Sequence, residues 1–281
     1  MPRWMLRGVE CGPELRQVEG LLEREGLNTV CVGAKCPNRG ECYSAGTATF
    51  MILGARCTRD CAFCAVPTGG VEPPEPGEPD AVARAAAGMD LKHVVVTSVT
   101  RDDLTDGGAG HFARTILAVR RELPRATVEV LVPDFGGRVA DVDVVLAEKP
   151  DVFNHNVETV ERLYARVRPQ ADYARSLAVL EQAAGAGVPA KSGFMVGLGE
   201  TTAEVEELMR DLCGAGCSLL TVGQYLRPGE RNAPVERYWE PAEFERLERR
   251  AREMGFDAVA AAPLVRSSYF AQLLLEERKA H

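Results

Sequence analysis

Six of the nine cysteines lie between Cys31 and Cys64. Three of them, Cys57, Cys61 and Cys64, form C-x3-C-x2-C in the run CTRDCAFC, directly after the β-rich stretch TATFMIL. One short loop with this spacing can wrap three thiolates around an iron-sulfur cluster. Three ligands on a four-iron cluster leave one iron open, much as a catalytic zinc keeps one coordination position free. An open iron can bind a substrate. A structural zinc knuckle would want a fourth Cys or His close by, and the loop that follows has none.

A second triad, Cys31, Cys36 and Cys42, forms C-x4-C-x5-C in VCVGAKCPNRGEC, ending 15 residues before Cys57. The first cluster's three protein positions are filled, so these thiols imply a second centre. Taken alone, the spacing is ambiguous between a ferredoxin-like cluster and zinc. The other cysteines are scattered. Cys213 and Cys217 read best as buried small hydrophobes, and Cys11 as a free thiol.

Positioning these loops requires an α/β scaffold. Candidate strands Thr47 to Leu53, His93 to Ser98, Thr127 to Pro133, Asp151 to Asn154, Ala190 to Val196 and Ser218 to Tyr225 alternate with helical patterns. That alternation gives parallel strands with return helices. A full eight-unit barrel needs about 250 residues, so the sequence predicts a partial TIM-type barrel of about six βα units. An N-terminal extension, residues 1–46, carries a helix from about Gly12 to Glu25 and the first cysteines. The barrel spans 47–226. A C-terminal extension, 227–281, holds a helix Pro241 to Met254, a short apolar stretch Ala258 to Ala262, and a segment Leu264 to Glu277. The Pro/Gly-rich run Thr68 to Pro79 reads as an exposed connection.

With 281 residues and 46% hydrophobic side chains, the chain can bury one large core. Its net charge of -8 argues against a nucleic-acid surface. No run of 18 apolar residues appears, and Met1 to Gly8 lacks a signal-peptide core. A cytoplasmic protein without a membrane segment is expected, and its thiols then serve as metal ligands rather than disulfides. No Ser-His-Asp or paired-carboxylate arrangement suggests hydrolysis.

The C-x3-C-x2-C motif, with the aromatic Phe63 before its last cysteine, resembles the signature of the radical S-adenosylmethionine (SAM) superfamily. The wider run NTVC, CPNRGEC, GTATFMILG, RCTR and FCAV, together with TSVTRDDLTDGGA, FNHNVET, KSGFMVGLGE, VGQYL and PLVRSSY, resembles the lipoyl synthase family. This resemblance covers about Trp4 to Tyr269. It implies two 4Fe-4S clusters. One, on Cys57, Cys61 and Cys64, binds SAM through its open iron and cleaves it. The other is an auxiliary sulfur donor on Cys31, Cys36 and Cys42, with Ser268 of the Arg-Ser-Ser-Tyr motif as fourth ligand. Ser267 is the alternative, and on residue chemistry alone either serine would sooner cap the last helix, YFAQLLLEE. The resemblance further suggests that Thr97 and Ser98 line the SAM site. Asn154 or Asn156, with Arg168, would hold the cofactor's polar groups, although a strand-end Asn is equally a turn former. At Gln170 the chain departs from the family's usual glycine, which puts the local turn in question. The Gly-Leu-Gly of residues 197–199 is read as strand-to-helix geometry, and Thr201 with Glu204 as an ordinary capping box.

The reaction so implied inserts two sulfurs at carbons 6 and 8 of an octanoyl chain on a carrier lysine. Unactivated C-H bonds have no acidic proton, so radical chemistry is needed. The implied partners are octanoylated lipoyl-carrier domains, namely 2-oxoacid dehydrogenase acyltransferase subunits and the glycine-cleavage carrier protein, plus a small electron donor protein. Two rival readings exist. A biotin-synthase-like sulfur-inserting enzyme would lack the upstream triad and the RSSY tail. A two-cluster electron-transfer or iron-sensing protein would need no open iron.

Overall fold

Runs rich in valine with no clean apolar/polar alternation, such as HVVVTS and TVEVL, belong to parallel strands covered on each side by helices. The computed structural model describes residues 1–5, 12–45 and 47–280, and it bears this pattern out. Cys11 and His281 lie outside the described residues. The chain packs as two compact units, Arg7–Arg59 with Ala65–Asp151, and Met1–Leu6 with Asp60–Cys64 and Val152–His281.

The first unit opens with α1 (Pro13–Arg24), close to the expected helix, then β1 (Asn28–Thr29) and two short helices, α2 (Val30–Gly33) and α3 (Arg39–Ser44). The strands β2 (Thr49–Ile52), β3 (His93–Ser98) and β4 (Thr127–Leu131) alternate with helices α4 (Glu78–Gly88), α5 (Ala109–Glu122) and α6 (Val139–Ala147). Strand β1 pairs antiparallel to β2, while β2, β3 and β4 pair in parallel. Val94, Val96, Val128 and Val130 are fully buried, each contributing about 1.5 to 3 kcal/mol of apolar burial.

The second unit continues the alternation with β5 (Val152–Asn154), the short α7 (Tyr164–Val167), α8 (Tyr173–Gly185), β6 (Ala190–Val196), α9 (Thr202–Gly214), β7 (Leu219–Gln224) and α10 (Pro241–Met254). Two more elements follow, β8 (Ala258–Ala261) and α11 (Ala271–Ala280). Strands β5 to β8 pair in parallel in chain order. The apolar stretch after α10 is thus one more parallel strand, so the described residues hold seven parallel strands, β2 to β4 and β5 to β8, where about six units were expected. Four alanine and valine residues are too few to mark a strand by alternation, and pairing with β7 decides the matter.

Two local expectations are corrected and one is met. The connection after Thr68 ends at Gly77, because Glu78 and Pro79 form the first turn of α4 and are buried. The last helix begins only at Ala271, so neither Ser267 nor Ser268 caps it. Cys217 is buried as expected, and its thiol donates to the Leu219 carbonyl at 3.3 Å.

The capping box on α9 is present in both directions. The Arg162 guanidinium and the Thr201 amide hold the Glu204 carboxyl down to about 2. A depressed carboxylate stabilises the fold at neutral pH and loses that contribution as pH falls through the ordinary Glu range toward the folded value. Thr201→Ala is expected to cost about 1 kcal/mol in urea unfolding at pH 7. A Glu204→Gln variant should close most of its gap to wild type as pH falls toward 2, and a gap that stays constant with pH would contradict this account.

Candidate cluster and cofactor sites

The N-terminal thiols sit on a small platform of helical turns. Thr29 caps α2 by accepting the Val32 amide at 3.4 Å, and its hydroxyl also meets the hydroxyl of buried Tyr43 at 2.7 Å. One residue thereby ties the turn carrying Cys31 to the helix carrying Cys42. The Cys36 amide donates to the Cys31 carbonyl at 3.0 Å, and Thr47 donates from backbone and side chain to the Cys42 carbonyl. Burial, reinforced by charge on Cys36, pushes Cys31 up to about 11, and burial, reinforced by charge on Cys31 and Cys36, pushes Cys42 up to about 12. Without metal, Cys31 and Cys42 are protonated at neutral pH, and a metal centre must displace those protons. Among the described residues no three His, Cys, Asp or Glu side chains converge as a lone ion requires; ligands of a cluster reach separate irons and have no such constraint. Three cysteines that form no disulfide, carried on neighbouring hydrogen-bonded turns, have the chemistry that cluster ligands require.

The loop after β2 carries the other triad. Leu53, at its start, has φ +69°, a left-handed conformation costing about 1 kcal/mol or more in a non-glycine residue. Buried groups hold it there. The Glu78 carboxylate accepts the Leu53 amide at 2.8 Å and also meets His111 Nε2 at 2.8 Å, while Arg101 donates to the Leu53 carbonyl at 3.2 Å.

Further along, Cys57 exchanges backbone hydrogen bonds with Pro67 and Gly69, both at 2.9 Å, and Thr58 donates its amide to the Thr100 carbonyl at 3.0 Å. The Arg59 amide donates to Cys57 Sγ at 3.4 Å, the kind of N–H contact that tunes a cluster thiolate. The Arg59 side chain makes two forked pairs, to Asp102 at 2.8 and 2.8 Å and to Asp134 at 3.0 and 2.7 Å. Burial alone would lower the guanidinium's pKa, but these carboxylates raise it well above its ordinary value. The segment Thr100 to Asp103 is thus a rail to which Leu53, Thr58 and Arg59 are each fastened.

Residues Asp60 to Cys64 belong to the second unit and are bonded within it. Ala62 donates to the Val167 carbonyl at 2.9 Å, Ala233 donates to the Ala62 carbonyl at 2.8 Å, and Asn232 Nδ2 donates to the Cys64 carbonyl at 2.7 Å. Gln170 accepts the Asp60 amide through Oε1 at 3.2 Å. The departure from the family's glycine has therefore become a loop contact. Cys61, Phe63 and Cys64 are half-buried.

The strand-end residues divide by what already occupies them. Thr97 spends its hydroxyl on the Leu131 carbonyl at 2.9 Å. Ser98, at the end of β3, has a buried hydroxyl with no hydrogen-bond partner among the described residues, a polar atom available to a bound group. Asn154 is fully buried at the end of β5. Arg168 donates from Nη1 to the Asn156 and Val157 carbonyls at 3.0 Å and to the Tyr164 hydroxyl at 3.1 Å; it braces the segment after β5. Burial pushes the Glu158 carboxyl up, opposed by Arg168, Asn156 and Arg266. In the Gly-Leu-Gly turn, Glu200 accepts the Gly197 and Leu198 amides, so this carboxylate is used to shape the turn.

In the Arg-Ser-Ser-Tyr motif the two serines differ. Ser267 donates to Asn156 Oδ1 at 2.8 Å. The half-buried Ser268 hydroxyl makes no hydrogen bond among the described residues.

Sequence reading did not single out Arg59, Asp102, Asp134, Glu78 or Asn232. A charged residue inside CTRDC and the acidic pair of TRDD were the available signals, but their pairing is nonlocal.

A family model described as the radical SAM superfamily matches residues 51–212, more than half of the chain. The lipoyl synthase of Oleidesulfovibrio alaskensis is 53% identical over 278 residues, covering 99% of this chain and 96% of that protein. That of Nitratidesulfovibrio vulgaris is 55% identical over 272 residues, with 97% and 91% covered. Among solved structures, methylornithine synthase shares the fold at 15% identity, with a TM-score of 0.58 over 87% of this chain and 73% of its own. That likeness bears out the α/β partial-barrel class, and identity above half over nearly the whole length decides the rest: the chain belongs to the lipoyl synthase family of the radical SAM superfamily.

Proposed function

We infer that this chain is a radical SAM sulfur-inserting enzyme that converts a protein-bound octanoyl-lysine to the lipoyl form. The observation carrying the reading is the pair of cysteine triads, each on its own hydrogen-bonded platform, in a chain more than half identical to lipoyl synthases. We propose Cys57, Cys61 and Cys64 as holders of the SAM-cleaving cluster, and Cys31, Cys36 and Cys42 with Ser268 as holders of the auxiliary one. When bound, the first centre supplies an electron for cleaving the sulfonium bond of SAM and the second supplies sulfur.

The chain's own residues orient and bind. Ser98, with its buried unpaired hydroxyl, is the better candidate of the Thr97 and Ser98 pair for contacting SAM, and Phe63 would pack beside it. Asn154 would contact it from the end of β5, with Arg168 bracing that segment. Ser268 is favoured over Ser267 as ligand because Ser267 is already bonded to Asn156. A serine oxygen is a harder and more labile iron ligand than thiolate, which suits a cluster that surrenders sulfide. We further propose the functional division 1–46, 47–226 and 227–281.

Lipoyl-carrier domains are the substrate class. The specific carriers proposed are 2-oxoacid dehydrogenase acyltransferase subunits and the glycine-cleavage carrier protein, with a small electron donor protein. A cytoplasmic setting, where thiols stay reduced, suits the free cysteines. No described helix is long and apolar enough to cross a membrane.

The test is anaerobic. The chain is reconstituted with iron and sulfide, then given reductant, SAM and an octanoyl-lysine peptide, and peptide mass is followed with 5'-deoxyadenosine. Gain of two sulfurs is expected. Cleavage of SAM without sulfur on any octanoyl peptide would reject the substrate, and no cleavage by fully loaded protein would reject the enzyme in favour of electron transfer or sensing.

A further inference from the structure

After β8 the chain does not leave the second unit. The Ala262 amide donates to the Val222 carbonyl at 3.1 Å and the Gln224 amide donates to the Pro263 carbonyl at 3.1 Å, so residues 262–263 run on beside β7. The arm then turns, with Val265 donating to the Ala262 carbonyl at 3.1 Å and Tyr269 to the Arg266 carbonyl at 2.9 Å. What lies beneath this turn is unusual for strand interiors. Gly223 in β7 is so close that a Cβ there would stand 2.2 Å from the Val265 carbonyl oxygen and 3.1 Å from Arg266 Nη1. Gly193 in β6 would place a Cβ 2.4 Å from Thr221 Oγ1, 2.8 Å from Ser267 Oγ and 3.0 Å from Asn156 Oδ1.

Glycine weakens a strand by removing a packing side chain, and it is retained where another segment must approach the backbone closely. At Gly223 the obstructed atom is backbone, which no rotamer change relieves. At Gly193 the obstructed atoms are side-chain oxygens, including both members of the Ser267–Asn156 hydrogen bond.

We propose that Gly223 and Gly193 are positioning residues of the enzyme: their missing side chains form the seat on which Val265 to Ser267 lie, and that seat fixes the next residue, Ser268, as an auxiliary-cluster ligand. This rests on the reading of Ser268 given above. Neither glycine touches the reacting atoms. The Ser267 hydroxyl acts as the latch of the arm, and the Ser268 hydroxyl beside it is what the latch presents.

The test uses the full chain with Cys57, Cys61 and Cys64 changed to alanine, so that all bound iron reports the auxiliary centre. Iron content and the rate of absorbance bleaching by a chelator are measured for this parent and for added Gly223→Ala, Gly193→Ala and Ser268→Ala, alongside the thermal midpoint of each. Gly223→Ala is expected to lose iron to the chelator at least tenfold faster than the parent, matching Ser268→Ala. Gly193→Ala, with only side chains to displace, should bleach at a rate between those of the parent and Gly223→Ala and keep a thermal midpoint nearer the parent's than Gly223→Ala does. Parent-like bleaching of both glycine variants with fast bleaching of Ser268→Ala would overturn the seat and leave the ligand standing. Parent-like bleaching of Ser268→Ala would overturn the ligand reading itself, and the seat's proposed role with it. If Gly223→Ala does not fold, Gly193→Ala decides by the same comparison.

Discussion

Alanine at Cys31 or Cys42 should abolish sulfur transfer to an octanoyl peptide, a loss of at least a thousandfold, while SAM cleavage by the same protein continues within a few-fold of wild type. Alanine at Cys61 should remove both. The asymmetry follows from the two platforms being built separately. Cys31 and Cys42 are held by Thr29, Tyr43 and Thr47, whose side-chain hydrogen bonds among the described residues stay within residues 29–47. Each buried thiol also matters individually, because burial pushes Cys31 and Cys42 far above neutral pH and only metal coordination makes their thiolates favourable. The measurement is 5'-deoxyadenosine and sulfur-modified peptide in one anaerobic single-turnover assay. If Cys31→Ala abolished both products while retaining iron on the other triad, the two centres would not have separable duties. If it abolished neither, the N-terminal triad would not be the sulfur source.

Much of this division was legible in the chain before folding. The triads could be read because cysteines within a dozen residues can share a cluster by local geometry alone, and strands such as His93 to Ser98 because a run of valines without polar alternation marks a parallel strand covered on both faces. Legibility failed where partners are distant in sequence. Arg59 meets Asp134 across 75 residues, and Ser267 meets Asn156 across 111. Neither pairing leaves a periodic signal. Glu78 was hidden in a Pro-Glu run that reads as a loop, although its carboxylate is the buried acceptor for Leu53. Ser267 and Ser268 looked like helix caps because hydroxyl residues ahead of an apolar run usually are; the turn carrying Phe270 at φ +48° delays the helix to Ala271 and frees them from that role. Gln170 was visible as a departure, but its purpose, accepting the Asp60 amide, needed the fold.

The Arg59 clamp makes the other large prediction. The Asp134 side chain is fully buried and that of Arg59 is 6% exposed, whereas Asp102 is 44% exposed. Removing one member of a buried pair strands the other's charge, at a cost of about 3 to 5 kcal/mol. Arg59→Ala should therefore lower the thermal midpoint by on the order of 10 °C for a protein of this size. Lysine should not rescue it, since a single ammonium cannot make two forked pairs. Asp102→Asn, at the solvent-facing side, should cost about 1 kcal/mol or less. The functional consequence is local, because Arg59 lies inside the Cys57 to Cys61 interval and its amide touches Cys57 Sγ. Iron retained by the Cys57, Cys61 and Cys64 triad, assayed with Cys31, Cys36 and Cys42 changed to alanine, should fall at least tenfold in Arg59→Ala under chelator challenge. A thermal midpoint within 2 °C of the parent, together with unchanged iron retention, would show that the loop holds its shape without the guanidinium and that the hydrogen bonds of Cys57 and Thr58 suffice. A lowered midpoint with unchanged iron would confine Arg59 to stability. Loss of both, with the auxiliary triad still loading normally in the single variant, would establish that the same buried ion pair that stabilises the first unit also fixes the geometry of the SAM-cleaving loop.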